Sequence, residues 1–186
     1  MSTFGKNKES LLLEEHMQQL LTPFLKNPAL LFIKREAPHS WSPADHLEYI
    51  FHVNLQLLMN LHTLPGQEKK LSRKPTLLAR LILITGFFPQ KIDRSLAPYE
   101  PGQTDRDRNI NWLHEHYNFW NDKLAGLHFL PNGWQHKVLD RHHEKLGYLT
   151  GTDWIRIMDL FTRNHQKSVN KILQNTDISD LEKQIS

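Results

Sequence analysis

The chain has 186 residues, no cysteine and a formal charge of +3. That length suits one domain with a sizeable core, and the lack of thiols excludes disulfides, zinc–thiolate sites and a cysteine nucleophile supplied by this chain. Hydrophobic residues make up 39% and charged residues 23%, the balance of a folded globular protein; the two signs of charge are interspersed, so no nucleic-acid partner is expected.

Lys8 to Leu21 reads as a first helix with Leu12, Leu13, Met17, Leu20 and Leu21 on its apolar side, ended or kinked at Thr22–Pro23. Glu14 and Glu15 interrupt its leucines, so the amino terminus does not read as a secretory signal. Asn27 to Ser40 reads as a connector whose apolar piece, Leu30 to Ile33, packs on the rest. Ser42–Pro43–Ala44–Asp45 then combines a capping Ser, Pro at the first helical position and an acid in the first turn. The second helix runs to about Leu61, with Leu47, Ile50, Phe51, Asn54, Leu57, Leu58 and Leu61 as its stripe; His46 flanks the stripe, and Tyr49 and His52 lie one turn apart farther round.

Leu64–Pro65–Gly66 opens a loop that includes the basic run Lys69 to Lys74, read as a solvated loop before a phosphate-binding patch. A third helix is expected from Pro75 through Thr85, with Leu77, Leu78, Leu81 and Ile84 apolar and Gly86 closing it. Leu77 to Phe88 is the longest apolar run and holds Arg80, so no membrane-spanning segment is expected. Phe87 to Gln103 carries three prolines and no period, a long loop or lid. Thr104 is expected to cap a fourth helix with the stripe Ile110, Leu113, Tyr117, Trp120 and Leu124, His116 beside it and Gly126 as its stop. His128 to Tyr148 reads as irregular, or briefly helical around Val138 to Lys145, with Trp134 at a pocket mouth or in the core.

In the final helix Thr152 can cap, Asp153 sits in the first turn, and Trp154, Met158, Phe161, His165, Val169 and Ile172 form one apolar stripe. His165 in mid-stripe is either a core histidine bonded to Tyr49 or a backbone carbonyl, or half of a site. Helical patterns dominate and no stretch alternates like a strand, so an all-α bundle is expected over residues 1–186, with a core of about 8–174 and a polar tail at 175–186. No phosphate-cradling loop, nucleophile elbow or dinucleotide fingerprint is present in the sequence. With no signal and no span, a cytoplasmic protein is the default expectation.

WSPADHLEYI (Trp41 to Ile50), KPTLLARLILITGFFP (Lys74 to Pro89) and HHEKLGYLTGTDW (His142 to Trp154) resemble, in that order, segments of the DinB-like, or YfiT-like, four-helix-bundle superfamily. The last block departs from its subfamily's pattern at Glu144, where Pro is usual. The resemblance covers about Trp41 to Ile172. It implies an up-down-down-up four-helix bundle with accessory short helices and a long Pro-rich loop, often a homodimer. It also implies a divalent metal, nickel or zinc, held by three histidines, one on the second helix and two on the last. Those three positions fall here on Tyr49, Phe161 and His165, a degenerate triad in which only His165 is the expected ligand.

Two functions follow as expectations. One is a metal-dependent transferase or hydrolase with its site between the second and last helices. There His52 and His165 are ligands, His46, His116 or His143 supplies a third imidazole, and Tyr49 orients substrate or donates a proton. The other is a non-catalytic bundle that binds a small molecule or partner in the same cleft after losing its metal. Asp45 and Glu48 are read as a solvated helix face before a general base near His52.

Overall fold

The leucines of the first helix recur at three- and four-residue spacing, and the helix they build runs farther than expected, α1 over Lys8–Lys26. Pro23 sits in its last turns, where the Thr22 hydroxyl donates to the Gln18 carbonyl (2.7 Å) and the Asn27 N–H to the Pro23 carbonyl (2.9 Å). The lost backbone donor therefore does not end the helix. The structure, a computed structural model, describes residues 8–33, 41–63, 74–89, 92, 95–96, 108–130, 133–138 and 143–176. The remaining helices with described bounds are α2 over Pro43–Thr63, α3 over Leu77–Thr85, α4 over Ile110–Gly126 and α5 over Gly151–Asn175. No strand occurs among the described residues, and the fold is all-α. The polar tail beyond Thr176 and most of the Pro-rich loop lie outside the described residues.

Caps fix where these helices begin. Ser42 and Asp45 bond reciprocally across the first turn of α2: the Asp45 N–H donates to Ser42 Oγ (3.1 Å) and the Ser42 N–H to Asp45 Oδ2 (2.8 Å). On α5 the cap is Thr150, two residues before the expected Thr152, because Asp153 three positions on closes a capping box with it. On α4 the cap is Asn109, whose side chain accepts from the Asn111 and Trp112 N–H groups at 3.0 and 3.1 Å. The expected Thr104 lies outside the described residues. Val138 to Lys145 forms no helix where described; the chain instead makes a tight reversal in which Gly147 holds φ +75. A Cβ there would stand 2.8 Å from the Lys74 carbonyl, which only glycine avoids.

Two helices, α1 and α2, each pack against both α4 and α5, while α3 touches α5 more lightly. The stripes of α2 and α5 meet in the core, with Leu47, Ile50, Leu58, Trp154, Met158 and Phe161 at most 2% exposed. The α3 expectation is corrected. Its buried residues are Ala79 and Ile82, whereas Leu77, Leu81 and Ile84 are 74%, 50% and 81% exposed. Arg80 is the one charge in this nine-residue helix, and so short and largely apolar a segment gives little sequence cue to its inward side. No described helix is long and apolar enough to cross a membrane.

Candidate functional site

Helices α2 and α5 pass each other in opposite senses: the Asn54 amide donates to Thr162 Oγ1 (3.0 Å), and eight residues earlier on α2 His46 meets His165. Spacings of three and four place His46 with Tyr49, and Phe161 with His165, on facing sides of the two helices. The three positions to which the resemblance assigns ligands therefore do converge. The Tyr49 ring lies 5.4 Å from those of Phe161 and His165, and the Phe161 and His165 rings are 4.6 Å apart.

What fills that convergence is an aromatic and imidazole cluster. His165 is 4% exposed. Its Nδ1 lies 2.8 Å from Nδ1 of His46, so one ring carries its proton on Nδ1 and donates while the other accepts. Trp41, just before the α2 cap, stacks nearly parallel to His165 (5.8 Å, 15°) and approaches His46 and Tyr49 at 5.2 and 5.1 Å. Phe88 adds an edge against Phe161 at 6.1 Å. Two imidazoles sharing one proton can exchange hydrogen-bond roles with a bound group; the surrounding rings bury His165, whereas His46 is half-buried.

His52, paired with His165 in the sequence expectation, lies elsewhere. It is six residues beyond His46, roughly 9 Å along α2 at 1.5 Å per residue, and is exposed. It sits instead beside Glu48 in a charged cluster. Asp45 and Glu48, expected on a solvated face, are 1% and 9% exposed. Arg108, just before α4, ion-pairs with Asp45 Oδ1 and with Glu48 Oε2, the latter at 2.7 Å. Partial burial lowers the pKa of His52, and the Glu48 carboxylate opposes that shift in part. Because its folded-state pKa is depressed, His52 costs stability as pH falls through the ordinary histidine range and is neutral in effect above it. An NMR titration is expected to place its midpoint below the usual 6.5, and Glu48→Gln to move it lower still. A midpoint that rises in Glu48→Gln contradicts this electrostatic account.

Four other described histidines make separate contacts. His116 Nδ1 donates to the Trp112 carbonyl within α4 (2.9 Å), its ring 5.7 Å from Phe51. Nδ1 of His143 accepts from the Lys145 and Leu146 N–H groups, both at 3.2 Å, while its Nε2 donates to the Ser95 carbonyl at 3.1 Å. His62 Nε2 donates to the Lys123 carbonyl (2.8 Å), an approach that the missing side chain of Gly126 permits, since a Cβ there would sit 2.8 Å from the ring. His16 Nδ1 lies 2.5 Å from Asp159 Oδ1, tying α1 to α5. Of the three expected third ligands, only His46 reaches His165. Trp134 is part of the core: it is 8% exposed and its ring lies against Gly151.

Among the described residues no group of three His, Cys, Asp or Glu side chains is gathered to hold a metal ion. The three-histidine centre does not fit here, because a phenyl ring and a phenol occupy two of its three positions. Arg108 is the residue that sequence reasoning missed; its only trace is that the Asp45/Glu48 pair needs a cation once buried. Comparison of the chain with family models, with curated protein sequences and with solved structures gives no match.

Proposed function

We propose that this chain is a DinB-like helical bundle, of the up-down-down-up arrangement, that binds a small molecule between α2 and α5 at the His46–His165 pair. The observation that carries this reading is a buried imidazole whose partner is another imidazole 2.8 Å away, under the indole of Trp41. A ligand with a planar face and a hydrogen-bonding edge suits such walls, taking the place of Trp41 against His165 and of one imidazole in the shared hydrogen bond. The dispersal of the other described histidines to helix, loop and ion-pair contacts supports binding over a relocated triad. The exposed α3 residues Leu77 and Leu81 are the surface that a homodimer would bury.

A second reading keeps a metal at two imidazoles, as in a metal-dependent transferase or hydrolase with Tyr49 as proton donor. It is favoured by the pair's separation. Two nitrogens bound at right angles to one octahedral or square-planar ion, with bonds of about 2.0–2.1 Å, lie about 2.9 Å apart, whereas tetrahedral zinc would set them about 3.3–3.4 Å apart, so the separation favours nickel.

Thermal shift against a library of planar heterocycles, with separate Ni²⁺ and Zn²⁺ arms, tests both. A compound at a hundred times its Kd is expected to stabilise the wild type by about 2.7 kcal/mol, and His165→Ala to abolish the shift while remaining folded. Stabilisation by the ions alone transfers support to the metal. Compounds that stabilise His165→Ala as well as wild type count against both readings.

A further inference from the structure

The face of α5 opposite the imidazole pair borders a cleft of about 440 Å³ between the start of α1, the end of α3 and α5. That volume lies within the range of about 300–1,000 Å³ usual for small-molecule sites. Leu12, Ile84 and Leu160 line it with apolar surface, Lys8, Arg156 and Arg163 with cations, and Glu9 and Asp159 with carboxylates, so cations outnumber acids by three to two. Ile84 is 81% exposed and Leu12 37%, so this apolar surface already faces the space. Asp159, a lining acid, is engaged by His16 at 2.5 Å and by Arg163 Nη2 at 3.1 Å. Arg156 and Arg163 are two turns apart on one face of α5. Arg156 donates one N–H to the Leu83 carbonyl (2.7 Å), which holds its guanidinium over the end of α3, on the rim of the cleft. Nε of Arg163 is buried and has no hydrogen-bond partner among the described residues.

We propose that this cleft binds a small amphipathic carboxylate, its head on the guanidinium groups and its aliphatic body along Leu12, Ile84 and Leu160. Guanidinium donors fit a carboxylate in bidentate fashion, and the neighbouring leucine and isoleucine surface gives the tail the water-excluding contact that a bare anion does not use. The charged and apolar walls together select for both features in one molecule. This is a site apart from the α2–α5 pair and does not rest on the function proposed for it.

Isothermal titration of the full chain with decanoate, below its micelle concentration, tests the proposal against decanol, which lacks the charge, and acetate, which lacks the tail. Saturable one-to-one binding of decanoate is expected, at least tenfold tighter than either control. Arg156→Gln, at an exposed position, is expected to weaken it tenfold or more with little change in melting temperature. Ile84→Glu, also exposed, should do the same by spoiling the tail wall and repelling the head. Decanol binding as well as decanoate, or decanoate affinity unchanged in both variants, would overturn the proposal. So would an affinity that falls with His165→Ala but not with Arg156→Gln.

Discussion

Arg108→Met is expected to destabilise the chain by about 3–5 kcal/mol, the usual cost of removing one partner from a buried ion pair. At this chain length that corresponds to a fall in melting temperature of roughly 6–20 °C. The cost does not come from losing an attraction, since a buried ion pair as a whole contributes little net stability. It comes from leaving charge in a place with little water. The Asp45 side chain is 1% exposed and that of Glu48 is 11% exposed, and both meet the one guanidinium, itself 15% exposed. Asp45 also accepts the Ser42 N–H at the α2 cap, so the damage reaches the helix start that carries His46. In an Asp45→Asn/Glu48→Gln background the amides keep the shape and accept hydrogen bonds without charge. There Arg108→Met should cost less than half as much. Chemical denaturation of the four proteins measures this coupling. An equal cost in both backgrounds means that the carboxylates are not the source, and a single-mutant loss under about 1 kcal/mol means that water reaches them.

Gly151→Ala is expected to lower stability by about 1–3 kcal/mol, as overpacking does, although alanine is the better helix former. A Cβ at residue 151 would stand 2.5 and 2.6 Å from two ring carbons of Trp134 and 2.9 Å from its carbonyl oxygen. The ring cannot simply turn away, because Trp134 is buried. Its short helical turn is also tied to the start of α5, where the Gly151 N–H donates to the Lys137 carbonyl (3.2 Å). Moving the carbonyl strains that bond. Trp134→Ala alone should destabilise by loss of packing, and the double variant should be less destabilised than the sum of the two, since the ring clash disappears. Thermal unfolding of the set measures it. Gly151→Ala at or above wild-type stability shows that the Trp134 turn can shift without cost.

How much of the site could be read beforehand differs residue by residue. His165 stood out because a titratable ring interrupted an otherwise apolar stripe, a pattern visible in one helix alone. Tyr49 and Phe161 could be placed beside it only through the resemblance, and their rings do meet His165. The expectation took His52 as the partner of His165 and kept His46 only as a third ligand, whereas it is His46 that meets His165. Both are three residues from Tyr49, so helix periodicity ranks them equally, and the outcome depends on which side of α2 faces α5. The last helix lies along α2 from His46 to Asn54, on the side that carries His46, and leaves His52 exposed beside Glu48. Asp45 and Glu48 looked like a wet face because their cation, Arg108, is sixty residues or more away in sequence and does not belong to any local pattern.

Among the described residues, the sequence by itself determined that α1 to α5 are helices, though not where each begins and ends, and which apolar stripes of α2, α4 and α5 face inward. Periodicity of 3.6 and capping side chains act within a few residues, so they can be read without knowing what packs against them. Only the tertiary structure decided which way α3 turns, which histidine meets His165, and that two carboxylates are buried on one arginine. Each of those depends on how two distant segments cross, and helix spacing does not encode crossing points.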